Sequence, residues 1–173
     1  MNITSRLLAT VTLFGLTGCT GMPEQVTPIK PFSIDRYLGT WYEIARLDHS
    51  FERGLTKVSA TYSLNKDGSV KVINRGFYQE ASQWKEAEGK AKFVGLSDTA
   101  HLKVSFFGPF YGSYVVFHLE PDYSTALVSG YNTDYFWILS RNKSMPQDKV
   151  QYYLSIAEQK GFDTSKIIFP GSL

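Results

Sequence analysis

The chain has one cysteine, Cys19, in 173 residues. A lone thiol excludes an internal disulfide, so any fold must rest on its own core. Long apolar runs are missing too. Residues 7–16 (LLATVTLFGL) fall well short of the ~20 that a membrane-spanning helix needs, and no other stretch comes closer. Charge of one sign is absent: 18 Lys and Arg face 16 Asp and Glu with no basic run, which argues against nucleic acid as a partner. The three histidines, His49, His101 and His118, lie in different elements with no metal-ligand spacing. There is no Gly-rich phosphate loop. Ser129-Gly130 follows Leu127 and Val128 rather than a glycine, so it is not a nucleophile elbow. No catalytic residue, metal ligand or cofactor is assigned. Internal repeats and low-complexity segments are also lacking.

What is present begins at the N-terminus. Arg6, the apolar run and then Leu16-Thr17-Gly18-Cys19 follow the order of a signal peptide. The last four residues resemble the lipobox of bacterial lipoproteins; the alternative is a buried strand or helix that happens to precede a Cys. The resemblance implies that residues 1–18 are removed and that Cys19 becomes a lipidated first residue with three acyl chains, palmitate among them. One chain anchors only marginally, whereas two or more anchor stably. Thr20, rather than Asp, follows the cysteine, which by that family's sorting pattern implies the outer membrane. Residues 19–33 are then a lipidated N-terminus and tether: Pro23, Pro28 and Pro31 predict that residues 20–33 are extended without a packed core, reaching about 43 Å at ~3.1 Å per residue. Residues 34–173 then form one domain.

Beyond Gly39 the hydrophobic period is two. Strand-like runs fall at 41–47, 57–64, 70–74, 86–93, 101–106, 112–119, 125–131 and 135–140, and Asn65-Lys66-Asp67-Gly68 is a hairpin signal. Twelve Phe, 11 Tyr and 3 Trp suit strands. An amphipathic helix opens near Ser144 and Pro146, carries Val150, Tyr153, Leu154 and Ala157 on one face, and stops at Gly161. Residues 166–169 add a short ninth strand. The expected fold is all-β: an eight-stranded antiparallel up-and-down barrel with one C-terminal helix.

Three segments carry a family resemblance. Gly39-Thr40-Trp41 looks like the Gly-x-Trp signature that opens the first strand of lipocalins. Pro121-Asp122-Tyr123 is similar to their second motif, with Pro in place of the usual Thr. Arg141, after the last strand, resembles the third. Together with the lipobox and Phe106-Phe107-Gly108-Pro109-Phe110, the chain most resembles bacterial outer-membrane lipocalins. The start of the first strand and the end of the eighth then share the closed end, so Gly39, Trp41 and Arg141 form a structural floor, with the guanidinium over the indole.

Alternation sorts the interior. It turns Val58, Ala60, Tyr62 and Leu64 inward, then Val72 and Asn74, then Ala87, Gly89, Ala91 and Phe93, then Leu102, Val104 and Phe106. With Arg141 setting the parity, Tyr135, Trp137 and Leu139 follow. The sixth and seventh strands are apolar on both faces, which leaves His118 a cavity-facing alternative. Glu43 shares the parity of Trp41, and a buried carboxylate needs a partner, for which Asn74 is the candidate. Loops 48–56, 79–83, 107–112 and 132–134 lie at the open mouth. The aromatic turn with Phe107, Phe110 and Tyr111 is a lipid-entry rim, a homodimer contact or a plug folded back into the mouth.

The resemblance implies a lipid-anchored carrier or store on the periplasmic side of the outer membrane. It would hold one fatty acid or lysophospholipid in the barrel and serve membrane lipid maintenance. Two other readings stay open: a lipophile-converting enzyme using Glu43, and a filled-barrel interaction module acting through the rim at 107–111.

Overall fold

Each alternating run becomes a strand because its apolar positions all fall on one side of the pleat. The computed structural model describes residues 20–171, so the signal segment and Cys19 lie outside the described residues. The strands are β1 (Gly39–Leu47), β2 (Leu55–Leu64), β3 (Val70–Tyr78), β4 (Gln83–Phe93), β5 (His101–Phe107), β6 (Phe110–Leu119), β7 (Thr125–Ser129) and β8 (Phe136–Ser140). Each pairs antiparallel with the next, and β1 pairs with both β2 and β8, which closes the barrel. A two-residue β9 (Ile167–Ile168) adds to the outside of β1 at Arg46 and Leu47. The helix α2 (Gln147–Gln159) begins after Pro146 and buries Val150, Tyr153 and Ala157.

There are two cores. The inner one fills the lower barrel with Trp41, Tyr62, Val70, Val72, Ala91 and Leu102. The outer one lies beneath α2 and holds Ala45, Val115, Leu127, Phe136, Ile138 and Tyr153. This pairing settles the doubly apolar strands: Val116, Ala126 and Val128 face in, while Val115, Phe117 and Leu127 face the outer core. His118 sits against Tyr153 of α2, with Nε2 3.3 Å from Glu120 Oε1, and so belongs to the outside wall.

The floor is built around Arg141. Its guanidinium lies 4.0 Å above the Trp41 ring, and it donates to the carbonyls of Thr40, Tyr37 and Leu38 at 2.8–3.1 Å. These carbonyls include the last of the one-turn helix α1 (Ile34–Tyr37), an element absent from the alternation pattern. A helix end needs such donors, because its final carbonyls have no partner within the helix. Trp41 Nε1 returns a bond to Tyr37 O at 2.8 Å, and the Tyr37 and Trp41 rings pack at 4.7 Å. Gly39 has φ +92°, and a Cβ there would sit 3.3 Å from Arg141 Nη1. A side chain at this position would meet both strain and the guanidinium.

The free tether is corrected. Val26 and Phe32 are buried, and Met22 packs against the outer core. Ile29 N donates to Val116 O at 2.9 Å, Ala100 N donates to Ile29 O at 3.0 Å, and Phe32 N donates to Asp98 O at 2.8 Å. The prolines bar regular structure but not packing. The apolar residues between them find a groove made by distant strands, which offsets the entropy of ordering them. Leu64 is a second correction: it ends its strand and is 51% exposed.

Candidate functional site

A cavity of about 800 Å³ runs from the mouth down to Tyr37, Tyr62 and Val70 near the floor. It exists because Ala60, Ala87, Ala91 and Gly112 stand where larger side chains would fill it. The barrel is therefore not filled, which removes the ground for the filled-barrel reading. Val58, Ala60, Tyr62, Val72, Asn74, Ala87, Ala91, Leu102, Val104, Phe106, Tyr135, Trp137 and Leu139 all line it, as alternation places them. Phe93 does not; it packs on Phe32 at a centroid distance of 6.3 Å and belongs to the floor. Gly89 faces inward, but the Phe106 ring covers it. Phe107, Phe110 and Tyr111 border the mouth, and Phe107 and Phe110 are 79% and 76% exposed, so the turn does not fold back as a plug.

At the lower end of the cavity three phenols meet. Tyr114 Oη lies 2.7 Å from Tyr37 Oη and 2.9 Å from Tyr62 Oη. Burial raises the pKa of all three, so they stay protonated.

One wall carries a charged cluster that alternation does not foresee. Trp41 and Glu43 face inward, so Ala45 should follow and Arg46 should face out. The β1–β8 register shifts between Glu43 and Ala45. That bulge puts Ile44 and Ala45 on the outer core and turns Arg46 in. Arg46 Nη1 donates to Glu43 Oε1 at 2.5 Å, and Nη2 donates to the carbonyls of Glu52 and Leu55 at 3.0 and 3.4 Å. Its Nε is 4.0 Å from Glu52 Oε2, which also accepts from Trp137 Nε1 at 3.0 Å. His49 Nε2 lies 3.0 Å from the same oxygen. All four side chains belong to residues at least nine-tenths buried. Glu43 therefore pairs with Arg46; the expected partner, Asn74, keeps a buried Oδ1 without a hydrogen bond.

Burial and the neighbouring Glu52 charge push the Glu43 carboxyl up to about 8, against the pull of Arg46. Glu52 lies below its ordinary value: burial raises it, but His49, Trp137 and Arg46 more than offset that. Glu43 is thus a proton-holding acid beside an ionised carboxylate. The cluster pins the 48–54 loop to the wall, and Phe51 stacks on His49 at 3.9 Å over the cavity edge. The one sequence signal for this group is the spacing Glu43, Arg46, His49, Glu52, every third residue across the end of a strand and a loop. Among the described residues no group of three His, Cys, Asp or Glu could hold a metal ion.

Closed barrel, capped floor and open calyx agree with what known proteins show. Residues 32–172 match the lipocalin-like domain. This chain belongs to the lipocalin family. The lipocalin is 54% identical over 155 residues to the outer membrane lipoprotein Blc of Vibrio cholerae, covering 89% of this chain and 91% of that protein. It is 53% identical over 153 residues to the outer membrane lipoprotein Blc of Escherichia coli K12, covering 87% and 86%. Insecticyanin of the tobacco hornworm, Manduca sexta, has the same fold at 19% identity, with a TM-score of 0.68 over 86% of this chain and 85% of that one. The lipocalin is accordingly an outer-membrane lipoprotein with a calyx for a lipophile.

Proposed function

We propose that this lipocalin carries or stores one fatty acid or lysophospholipid for membrane lipid maintenance. On this reading it is anchored through lipidated Cys19, with its domain facing the periplasm. The observation that supports this is the open cavity of about 800 Å³, lined mostly by apolar side chains, with three tyrosine hydroxyls at its lower end and charged groups toward its edge. Its size lies in the ~300–1,000 Å³ range of single-ligand sites. The acyl chain takes the depth, and the head group takes the mouth, where Arg75, Lys85 and the Glu43–Glu52 cluster lie. Burying ~12 CH2 groups from water is worth about 10 kcal/mol gross. Most of that gain disappears when the lipid comes from a bilayer, where those groups are already buried, so loading is reversible. The reading is of a binder without chemistry. Glu43, the nominee for an acid or base, is committed to Arg46 and Glu52.

The test is titration of a fluorescent fatty acid and a lysophospholipid into Ala91→Phe and, separately, Ala87→Leu. Ala91 is buried in the wall and Ala87 lies nearer the mouth. Both variants should keep the melting transition and bind at least about tenfold more weakly, as the added groups occupy the chain's path. Parental affinity in both folded variants overturns the carrier reading. For the anchor, the mass of the N-terminal peptide from membrane fractions should show an acylated Cys19; an unmodified Cys19 there overturns it.

A further inference from the structure

The N-terminal segment decides how the barrel meets the membrane. Residues 22–32 are docked on the barrel, so little free chain remains before them. The Thr20 backbone lies beside the His101 ring, and His101 Nε2 lies 3.0 Å from Ser113 Oγ. Thr20 therefore sits on the outer wall of β5 and β6. Cys19 directly precedes Thr20 in the sequence. An anchor on Cys19 leaves from this wall and not from the end of a long tether.

Three further features share the wall. Phe110 is three residues up β6 from Ser113, about 10 Å along the strand. It pairs with Phe107 at the hairpin tip, and these are the two most exposed large apolar side chains among the described residues. Lys92 and Lys103 stand directly opposite each other on the outer faces of β4 and β5. Like charges so placed repel; Lys103 Nζ lies 5.2 Å from the Tyr111 ring, and neither lysine has an ion pair among the described residues. Finally, the β4–β5 ladder runs only from Phe93↔Leu102 to Lys90↔Ser105. Above it, residues 83–89 of β4 pair with β3 alone, and the Phe106 ring lies over Gly89, where a Cβ would come within 2.8 Å. The wall is interrupted there. The cavity reaches the gap between Ala87 on one side and Phe107, Phe110 and Tyr111 on the other.

We infer that the outer wall of β4–β6 and its hairpin tip form the surface that this protein lays on an anionic bilayer leaflet, with the break beside Phe106 as a side door between bilayer and cavity. Phe107 and Phe110 enter the acyl region, and Lys92 and Lys103 meet lipid phosphates. The anchor holds this wall down, so the inference rests on the lipidation of Cys19 proposed above. A leaflet suits the patch because it supplies apolar and anionic partners in the order that the strip presents them. A lipid using this door moves from bilayer to cavity without crossing water.

The full-length lipidated protein is placed on vesicles of phosphatidylcholine with and without phosphatidylglycerol. In Phe110→Trp, lipids brominated along the acyl chain should quench the added indole, read as the difference from the parent. The double variant Phe107→Ser/Phe110→Ser should take up a fluorescent fatty acid from vesicles at least about tenfold more slowly, since two aromatic anchors are lost. Lys92→Glu/Lys103→Glu should slow uptake only from vesicles containing phosphatidylglycerol, and its affinity for fatty acid added from solution should match the parent. Absence of lipid quenching in folded, lipid-competent Phe110→Trp overturns the docking surface. So does shielding of the indole from an aqueous quencher that grows with protein concentration in the absence of vesicles, because a second copy then covers the patch. The N-terminal peptide mass separates the two claims. Acylated Cys19 without quenching sinks the docking surface alone, and unmodified Cys19 with quenching sinks the anchor alone.

Discussion

Arg46 and Glu43 point into the same barrel from positions three apart on one strand, joined by a bond of 2.5 Å with both side chains buried. Strict alternation forbids this, since residues an odd number apart face opposite sides. The bulge at Ile44 absorbs the extra residue and makes the pair possible.

Breaking this pair should be costly. Arg46→Met leaves Glu43 and Glu52 without their cation and frees two loop carbonyls, so urea unfolding should show a loss of about 3–5 kcal/mol. Adding Glu52→Gln to Arg46→Met should recover part of the loss, because the ionised carboxylate left without its cation goes with it. A loss below about 1 kcal/mol in Arg46→Met means that solvent reaches the cluster.

The raised Glu43 carboxyl makes stability depend on pH. In the unfolded chain it releases its proton near 4.5, whereas the folded protein holds it to about 8. The folded state binds more protons between those values, so stability falls as pH rises through that window and levels off above it. Glu52 is depressed and shifts stability only below its ordinary value, so it does not mask the effect. Denaturation midpoints from pH 4.5 to 8 should decline in the parent and flatten in Glu43→Gln. Equal slopes in the two proteins would remove Glu43 as the source.

Arg141→Ala should damage the floor and spare the cavity. It uncovers Trp41 and takes a donor away from the carbonyls of Tyr37, Leu38 and Thr40, for a cost of about 2–4 kcal/mol by chemical denaturation. Fatty-acid affinity of the folded variant should stay within about threefold of the parent, which is under 1 kcal/mol. Unchanged stability with abolished binding would place Arg141 at the ligand end.

Tyr114→Phe tests the hydroxyl trio. The change removes the oxygen shared by Tyr37 and Tyr62 and leaves two buried phenols unlinked, for a cost of about 1–3 kcal/mol. Adding Tyr62→Phe should cost less than the sum of the two single changes, as they share one network. Strict additivity in thermal unfolding would show that the hydroxyls act independently.

Much of this was legible from the pattern of residues, and the misses have local causes. Eight strands, a floor joining Trp41 to Arg141 and most of the cavity lining follow from period-two alternation and turn residues. Phe93 failed because parity tells in from out but not cavity from floor, which depends on height in the barrel and on Phe32 rising beneath it. Asn74 was a sound partner for Glu43 by facing direction alone, yet Arg46, misplaced by one bulge, proved the closer and stronger one. His118 faces the outer wall, whereas His49 is buried beneath Phe51 because Arg46 and Trp137 hold its loop down at Glu52.

The secondary-structure period, the order of the strands and the small residues at 60, 87 and 91 can be read along the chain, since they depend on sequence neighbours. Where alternation breaks, how residues 20–33 are held and which charged groups meet depend on the closed barrel. Closing a twisted sheet sets tilt and register for all strands together, and a bulge placed to satisfy that closure leaves no mark in the residues around it. The docking of the N-terminal segment depends in the same way on a groove between β6 and the chain near Ala100, which does not exist until the barrel has closed.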